Sequence, residues 1–163
     1  MYDPATAIKG KQAVFEAQPD NAAVKALSSL ATDAKLDRGE LTITVARENV
    51  IAACETLKQA GYNFLEDVTA VDWYPSEPRF QITYSFLSMS LKERLRLIVR
   101  LDSEEAALDS ITPVWPAANF YEREVFDLFG VHFGGHPNLR RIMLPEDWKG
   151  HPLRKDYPVE GYR

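Results

Sequence analysis

FQITYSFLSMSLKERLRLIVRL, running from Phe80 to Leu101, decides the fold class. Phe80, Ile82, Tyr84 and Phe86 alternate with Gln81, Thr83 and Ser85. Further on, Leu95, Leu97, Val99 and Leu101 alternate with Arg94, Arg96, Ile98 and Arg100. A period of two puts successive side chains on opposite faces of a strand. Two such runs joined by a short link near Ser88–Glu93 predict an antiparallel hairpin with one apolar face. The arginine stripe reads as a solvated or carboxylate-paired sheet face, with partner binding as the alternative.

Upstream of the hairpin, the two prolines of Tyr74–Pro78 mark a turn, and residues 64–73 read as a strand with one buried face. Leu41–Val45 alternates and reads as another strand. Between these strands Asn49 can cap a helix whose inner side is Ile51, Cys54 and Leu57 with the stem of Lys58, stopped by Gly61. Asp20-Asn21 can cap an earlier helix carrying Val24, Leu27, Ser28 and Ala31 on one face, and residues 1–20 read as a loose arm. Downstream, Asp109–Trp115 reads as a short strand or a loop. Asn119 then caps a helix, Phe120–Phe129, ended by Gly130, with Tyr121, Val125 and Leu128 on one face and Phe126 and Phe129 beside them. The expected fold is α+β: an antiparallel sheet with helices packed on one face, followed by a long extended C-terminal arm. Residues 1–163 form one domain in this reading, with residues 130–163 irregular.

The composition narrows the function classes. At 163 residues, 45% hydrophobic and 26% charged, the chain has the balance of a globular domain with a sizeable core. No apolar run approaches the roughly 18 residues of a membrane span, and the N-terminus has no apolar segment of a secretory leader. A single cysteine, Cys54, excludes an internal disulfide and any cysteine-based zinc or iron–sulfur site, which points to a reduced, cytoplasmic setting. Residues 1–129 hold 13 Lys and Arg against 20 Asp and Glu, whereas residues 130–163 hold 6 against 4. An acidic body with a mildly basic tail implies different surroundings for the two, and so small an excess is too weak for nucleic acid.

The groups that could carry chemistry have structural readings. Glu122-Arg123-Glu124 and Asp127 share one helix: Arg123 and Asp127 stand four apart and can pair, and Glu122 and Glu124 suit the positive end of the helix dipole. Acid–base work by two carboxylates is the alternative, but no nucleophile or electrophile accompanies them. His132, His136 and His151 lie among glycines and prolines that exclude helical metal-ligand spacing. Cys54 reads as a core residue. No phosphate-binding glycine loop and no nucleophile elbow is present.

The tail remains: more than 30 residues without periodicity. It is too rich in Phe133, Leu139, Ile142, Leu144, Trp148 and Tyr157 for disorder. Arg, Trp and Tyr carry most interface energy, so the tail reads as an arm laid over a partner protein, with wrapping of its own domain as the alternative.

Three runs carry a resemblance: EREVFDLFGVHF (Glu122–Phe133), GHPNLRRI (Gly135–Ile142) and GHPLRKDYP (Gly150–Pro158). Together they resemble the signature of the 30-kDa subunit family of respiratory complex I, the C-type subunit of proton-pumping NADH:quinone oxidoreductase. The J-type subunit of plastids and cyanobacteria belongs to the same family. The match is dense over residues 113–163 and loose over 36–112. Asn138 stands where the family commonly has Asp. The resemblance implies a non-catalytic peripheral-arm subunit that scaffolds the quinone-reducing module beside the D-type subunit. The enzyme is then the whole translocase: electrons pass from NADH through FMN and Fe-S clusters to quinone (ubiquinone in many hosts), with proton transport. This chain would bind none of those cofactors and no metal, would not span the membrane, and would sit on the cytoplasmic face of the cell inner membrane. Glu122, Arg123, Glu124, Asp127, His136 and Arg140 are the signature residues so implied. Arg140, Arg141, Trp148, His151, Arg154, Lys155 and Tyr157 are the implied docking residues, the cations meeting carboxylates and Trp148 and Tyr157 filling pockets. An equivalent subunit of a ferredoxin-linked quinone dehydrogenase or membrane-bound hydrogenase is the alternative, and an unrelated protein-interaction module is another.

Overall fold

The computed structural model describes residues 7–162. In chain order the elements are β1 (Ile8–Lys9), α1 (Lys11–Ala17), α2 (Ala22–Ala26), β2 (Ala31–Asp37) and β3 (Glu40–Val45). A single 3-10 turn at Arg47–Asn49 leads into α3 (Val50–Gln59). There follow β4 (Phe64–Asp72), β5 (Phe80–Ser88), β6 (Glu93–Leu101), β7 (Ala107–Asp109), α4 (Ala118–Phe129) and β8 (His132–Gly134).

Six strands make one sheet in the order β1-β2-β3-β6-β5-β4. The expected hairpin is at its centre: β5 and β6 pair antiparallel from Phe80 opposite Leu101 to Ser88 opposite Glu93. β4 pairs antiparallel with β5, and β2 with both β1 and β3. The two halves meet where β3 runs parallel to β6, Ile43 opposite Leu97. β7 and β8 form a small separate parallel pair.

The register puts Ile43, Ile82, Tyr84, Phe86, Leu95, Leu97 and Val99 on one buried face. Val24 of α2, Ala53, Cys54 and Leu57 of α3, and Val125 and Phe129 of α4 join them in one cluster, so the helices cover that face. Trimming such a residue, Leu97→Ala for example, is expected to cost about 2–5 kcal/mol through lost burial and the cavity left behind. On the opposite face Arg94 pairs with Glu66 at 3.5 Å, Arg96 pairs with Glu40, and the Arg100 guanidinium lies 5.8 Å from the Trp73 ring centre. The stripe is thus largely engaged with neighbours on its own sheet.

Two local readings change. Residues 8–17 are not loose: β1 adds to the sheet edge, the Gly10 N–H donates to the Ala34 carbonyl at 2.8 Å, and Val14 of α1 is fully buried. One buried residue in so short a helix leaves no period to read, and residues 1–6 lie outside the described part. α2 begins at the expected Asn21 cap, whose side chain accepts the N–H groups of Ala23 and Val24, but it stops at Ala26 and Ala31 opens β2. β2 has no clean alternation because a bulge between Ala31 and Asp33 breaks it.

Candidate functional site

Helix α4 sits against β4, and it buries Glu122, Arg123 and Asp127 together with Val125 and Phe129. Its N-cap residue is Ala117, which offers no side-chain cap, so Asn119 lies inside the first turn and does not cap it. Gly130 ends the helix in the left-handed region, φ 72°. A Cβ there would fall 2.5 Å from His151 Cδ2, so glycine also clears the path for the returning arm.

Glu122 is completely buried and is not a solvated first-turn charge. The Ser110 hydroxyl donates to its Oε2 at 2.6 Å and the Ile111 N–H donates to Oε1 at 2.8 Å. Burial outweighs both bonds and pushes its pKa up to about 7. His136 Nε2 lies 3.9 Å from the same carboxylate, but its N–H is directed to the Asn119 carbonyl at 3.1 Å. Its Nδ1 accepts the Asn138 N–H at 3.0 Å.

Asp127 is also fully buried, and it does not pair with Arg123. Its Oδ2 accepts three consecutive N–H groups, from Ile142, Met143 and Leu144, at 2.8–2.9 Å. Arg141 donates to Oδ1 at 2.6 Å. Burial opposes the charge, yet these donors together hold the carboxyl below the usual carboxylate range. Arg123 instead donates to the carbonyls of Arg140 and Arg141 at 3.1 and 3.0 Å. Arg and Asp one turn apart therefore grip the same strand of arm, one by its carbonyls and the other by its N–H groups.

The second Gly-His-Pro run finishes the helix. The last carbonyls of an α-helix have no partners within it. Here His151 Nδ1 donates to the Asp127 carbonyl at 2.8 Å, the Leu153 N–H to Leu128 at 3.1 Å, and Arg154 Nε to Phe129 at 2.6 Å. The Arg154 guanidinium also sits at the negative end of the helix dipole. Burial, with Arg154 and Arg141 nearby, depresses the His151 pKa despite its bond to Asp127. Each Gly-His-Pro tripeptide thus sets a histidine on a carbonyl of α4, one at its start and one at its end.

Beyond Arg154 the arm is tied to the sheet. Arg79, buried between the two, donates to both oxygens of Asp72 at 2.8–2.9 Å and to both oxygens of Asp156 at 2.7–3.0 Å. The Lys155 N–H adds a bond to Asp72 at 2.8 Å. Burial of Asp72 is overcome by Arg79 and the backbone donors, which lower its pKa to about 2.

Residues 43–163, which include α4 and the arm, match the family described as respiratory-chain NADH dehydrogenase, 30 Kd subunit. The chain belongs to this family. The C-type subunit of NADH-quinone oxidoreductase from Geobacter sulfurreducens is 50% identical over 131 residues, covering 79% of this chain and 81% of the relative. Its counterpart in Citrifermentans bemidjiense is 44% identical over 147 residues, 87% of this chain and 91% of the relative. Among solved structures, a trypsin-resistant fragment (1-134) of Nqo5 superposes with TM-score 0.59 at 34% identity, covering 62% of this chain and 83% of the fragment. A chain of the membrane-bound sulfane sulfur reductase, an archaeal respiratory membrane complex, superposes with TM-score 0.73 at 26% identity, covering 83% of this chain and 82% of its own.

In this member of the 30-kDa family Glu122, Arg123, Asp127 and His136, expected as signature residues, converge around α4, while the side chains of Glu124 and Arg140, expected with them, are exposed. The residues expected to dock divide in two. Arg141, His151 and Arg154 are half-buried and bonded to α4. Arg140, Trp148 and Lys155 have exposed side chains, with Tyr157 half-buried beside them. Sequence reasoning missed Ser110, Asp72, Arg79 and Asp156. Ser110 and Thr112 carried a faint signal, as small hydroxyls in an otherwise apolar run. Among the described residues no group of three or more His, Cys, Asp or Glu could hold a metal, no helix is long and apolar enough to cross a membrane, and the lone Cys54 is buried. That residue set does not fit a cluster-binding role.

Proposed function

We propose that this chain is a non-catalytic subunit of the peripheral arm of a proton-translocating NADH:quinone oxidoreductase. It scaffolds the quinone-reducing module beside the D-type subunit, on the cytoplasmic face of the cell inner membrane. FMN, Fe-S clusters and quinone belong to neighbouring subunits, and electrons pass from NADH to quinone through them. The names of the C-type relatives support the assignment to this reaction. The observation that carries the scaffolding reading is the arm itself. Its backbone is fixed to α4 and the sheet, yet it exposes Ile142, Met143, Trp148, Leu153, Val159 and Tyr162. Large apolar groups displayed on a preformed surface suit a protein interface, because little ordering entropy remains to be lost on docking. A second reading rests on the sulfane sulfur reductase match: the same scaffold serving a respiratory complex with a different reaction.

The test is affinity purification of the N-terminally tagged chain from detergent-solubilised membranes of its host, with mass spectrometry and an assay of NADH-dependent quinone reduction. Recovery with the D-type and cluster-bearing subunits, with activity, is expected. Recovery with a complex lacking NADH-dependent activity would move the chain to the second reading, and a chain recovered alone would overturn both.

A further inference from the structure

All four helices and the β7–β8 pair contribute to one core cluster, which leaves the opposite face of the six-stranded sheet without a covering layer among the described residues. We propose that the half of this open face around Ile98 and Arg100 docks an α-helix of a neighbouring polypeptide, with small apolar side chains against the strands and one carboxylate on Arg100; the inference deepens the scaffolding role proposed above. It also gives the arginine stripe of β6, noted in the sequence, a task at one end only.

The open face is divided by charge. Toward Glu93 its arginines are already matched, Arg94 with Glu66 and Arg96 with Glu40. Toward Leu101 the band carries no charge before Arg100. Thr69 stands opposite Thr83 and Thr83 opposite Ile98, and in the next row Val71 stands opposite Gln81 and Gln81 opposite Arg100. The water-facing side of an antiparallel sheet is ordinarily polar. Here Val71 is 38% and Trp73 47% exposed, and Ile98 is half-buried between them and β3. Gln81 is turned along the sheet, donating to Thr83 Oγ1 at 3.2 Å, so it lies flat within the band. From Arg96 to Arg100 the strand advances about 13 Å, and an α-helix with its side chains is about 10–12 Å across. The band is therefore as wide as one helix.

Arg100 selects the charge of the occupant. Its guanidinium lies over the Trp73 ring, 5.8 Å from the ring centre, and among the described residues it pairs with no carboxylate. Trp73 is itself held in place, its backbone N–H donating to the Arg79 carbonyl at 2.8 Å. A guanidinium laid on a ring keeps its N–H edge for a carboxylate, in the two-pronged geometry that favours arginine over lysine. A helix seated on the band would shield that pair from water and strengthen it. An anionic lipid surface fits less well: Arg94 and Arg96 are already neutralised, and a single cation contributes only about 1 kcal/mol of attraction to such a surface.

The test uses the assembled complex. Thr69, exposed on the band, is replaced by the photo-crosslinker p-benzoylphenylalanine, and the crosslinked segment is mapped by mass spectrometry. The expected product joins this position to a partner segment with apolar residues at helical spacing and an Asp or Glu. Arg100→Glu should then lower the crosslink yield about ten-fold or more, equivalent to about 1.4 kcal/mol, and exchanging the partner's acidic residue for arginine should restore it. Val71→Asn, which leaves every charge in place, should lower the yield as well. Arg94→Glu, outside the band, should leave it within about two-fold. Near-UV circular dichroism of the isolated variants checks that the sheet remains folded. No crosslink to protein, crosslinks to lipid alone, a segment without a carboxylate or without helical spacing, a yield untouched by Arg100→Glu, or an equal loss from Arg94→Glu would overturn the inference. If the contact is found in a complex unrelated to NADH oxidation, the docking face stands and the function proposed above falls. If the chain is recovered in the NADH:quinone complex with no crosslink from Thr69, the reverse holds.

Discussion

Replacing Glu122 by Gln should remove a titration while keeping the shape of the site. The carboxylate is fully buried, and its pKa is raised from 4.5 to about 7. The folded state therefore favours the protonated form. The stability this group contributes is fully present below about pH 4.5 and is lost as the pH rises through 7. At about 1.4 kcal/mol per pKa unit, the loss between pH 5 and pH 8 comes to roughly 2–3 kcal/mol. A glutamine can replace both bonds. Its carbonyl accepts the Ile111 N–H, and its amide donates to Ser110 Oγ, which can turn its own proton to Thr112 Oγ1 at 2.8 Å. Glu122→Gln is expected to match the parent within about 1 kcal/mol at pH 5 and to exceed it by roughly 2–3 kcal/mol at pH 8. Urea unfolding of the full chain, followed by tryptophan fluorescence from pH 5 to pH 8, measures the gap. The histidines are present in both proteins, so the difference curve isolates Glu122. Parallel curves would refute the reasoning, because the carboxylate would then be charged throughout the range.

Asp127→Asn should cost about 3–5 kcal/mol, since it turns an amide toward Arg141 and removes the charge that three N–H groups share. The same variant should expose Arg140 and Arg141 to trypsin in limited digestion, and an arm that stays protected would count against its anchoring role. Arg79→Met leaves Asp72 buried without its cation and should cost about 3–5 kcal/mol at neutral pH. Because the Asp72 pKa is depressed to about 2, its contribution is present above about pH 4 and should fade between pH 4 and pH 2, which acid unfolding curves will show. Asp156→Asn, at a side chain 43% exposed, should cost no more than about 1 kcal/mol in the same assay. The Tyr84 hydroxyl is buried with no partner among the described residues, so Tyr84→Phe should be neutral or stabilising by up to about 1 kcal/mol in urea. A clear loss of stability would show that the hydroxyl is engaged.

Alternation made β5 and β6 legible, because a half-buried sheet writes its two faces directly into the chain. The end of α4 was legible from Gly130 alone. The inward face of α4 was legible only in part, through Val125 and Phe129, which are buried. Tyr121, Val125 and Leu128 form a plausible apolar stripe, and Tyr121 and Leu128 do pack against the core, but only as half-buried residues. Glu122 and Asp127 go deeper because their donors arrive from residues 110–111 and 141–144, and helical spacing carries no trace of groups so distant. For the same reason, an Arg and an Asp four apart looked like a pair when each had a separate partner in the arm. The arm's composition argues against disorder. It could not distinguish side chains that bond to α4, such as His151 and Arg154, from those left facing outward, such as Trp148.

The capping of α4 by residues 151–154 also sets an order of events during synthesis. When Gly130 leaves the ribosome, the last carbonyls of the helix still lack their partners, and more than 20 further residues must follow before Arg154 can reach them. At about 5–20 residues per second that interval lasts on the order of seconds. In this window the helix end, the Asp127 carboxylate and the surface beneath the arm are all uncovered. A premature partner, a chaperone or a protease would meet the chain there first, before the arm has closed over the helix.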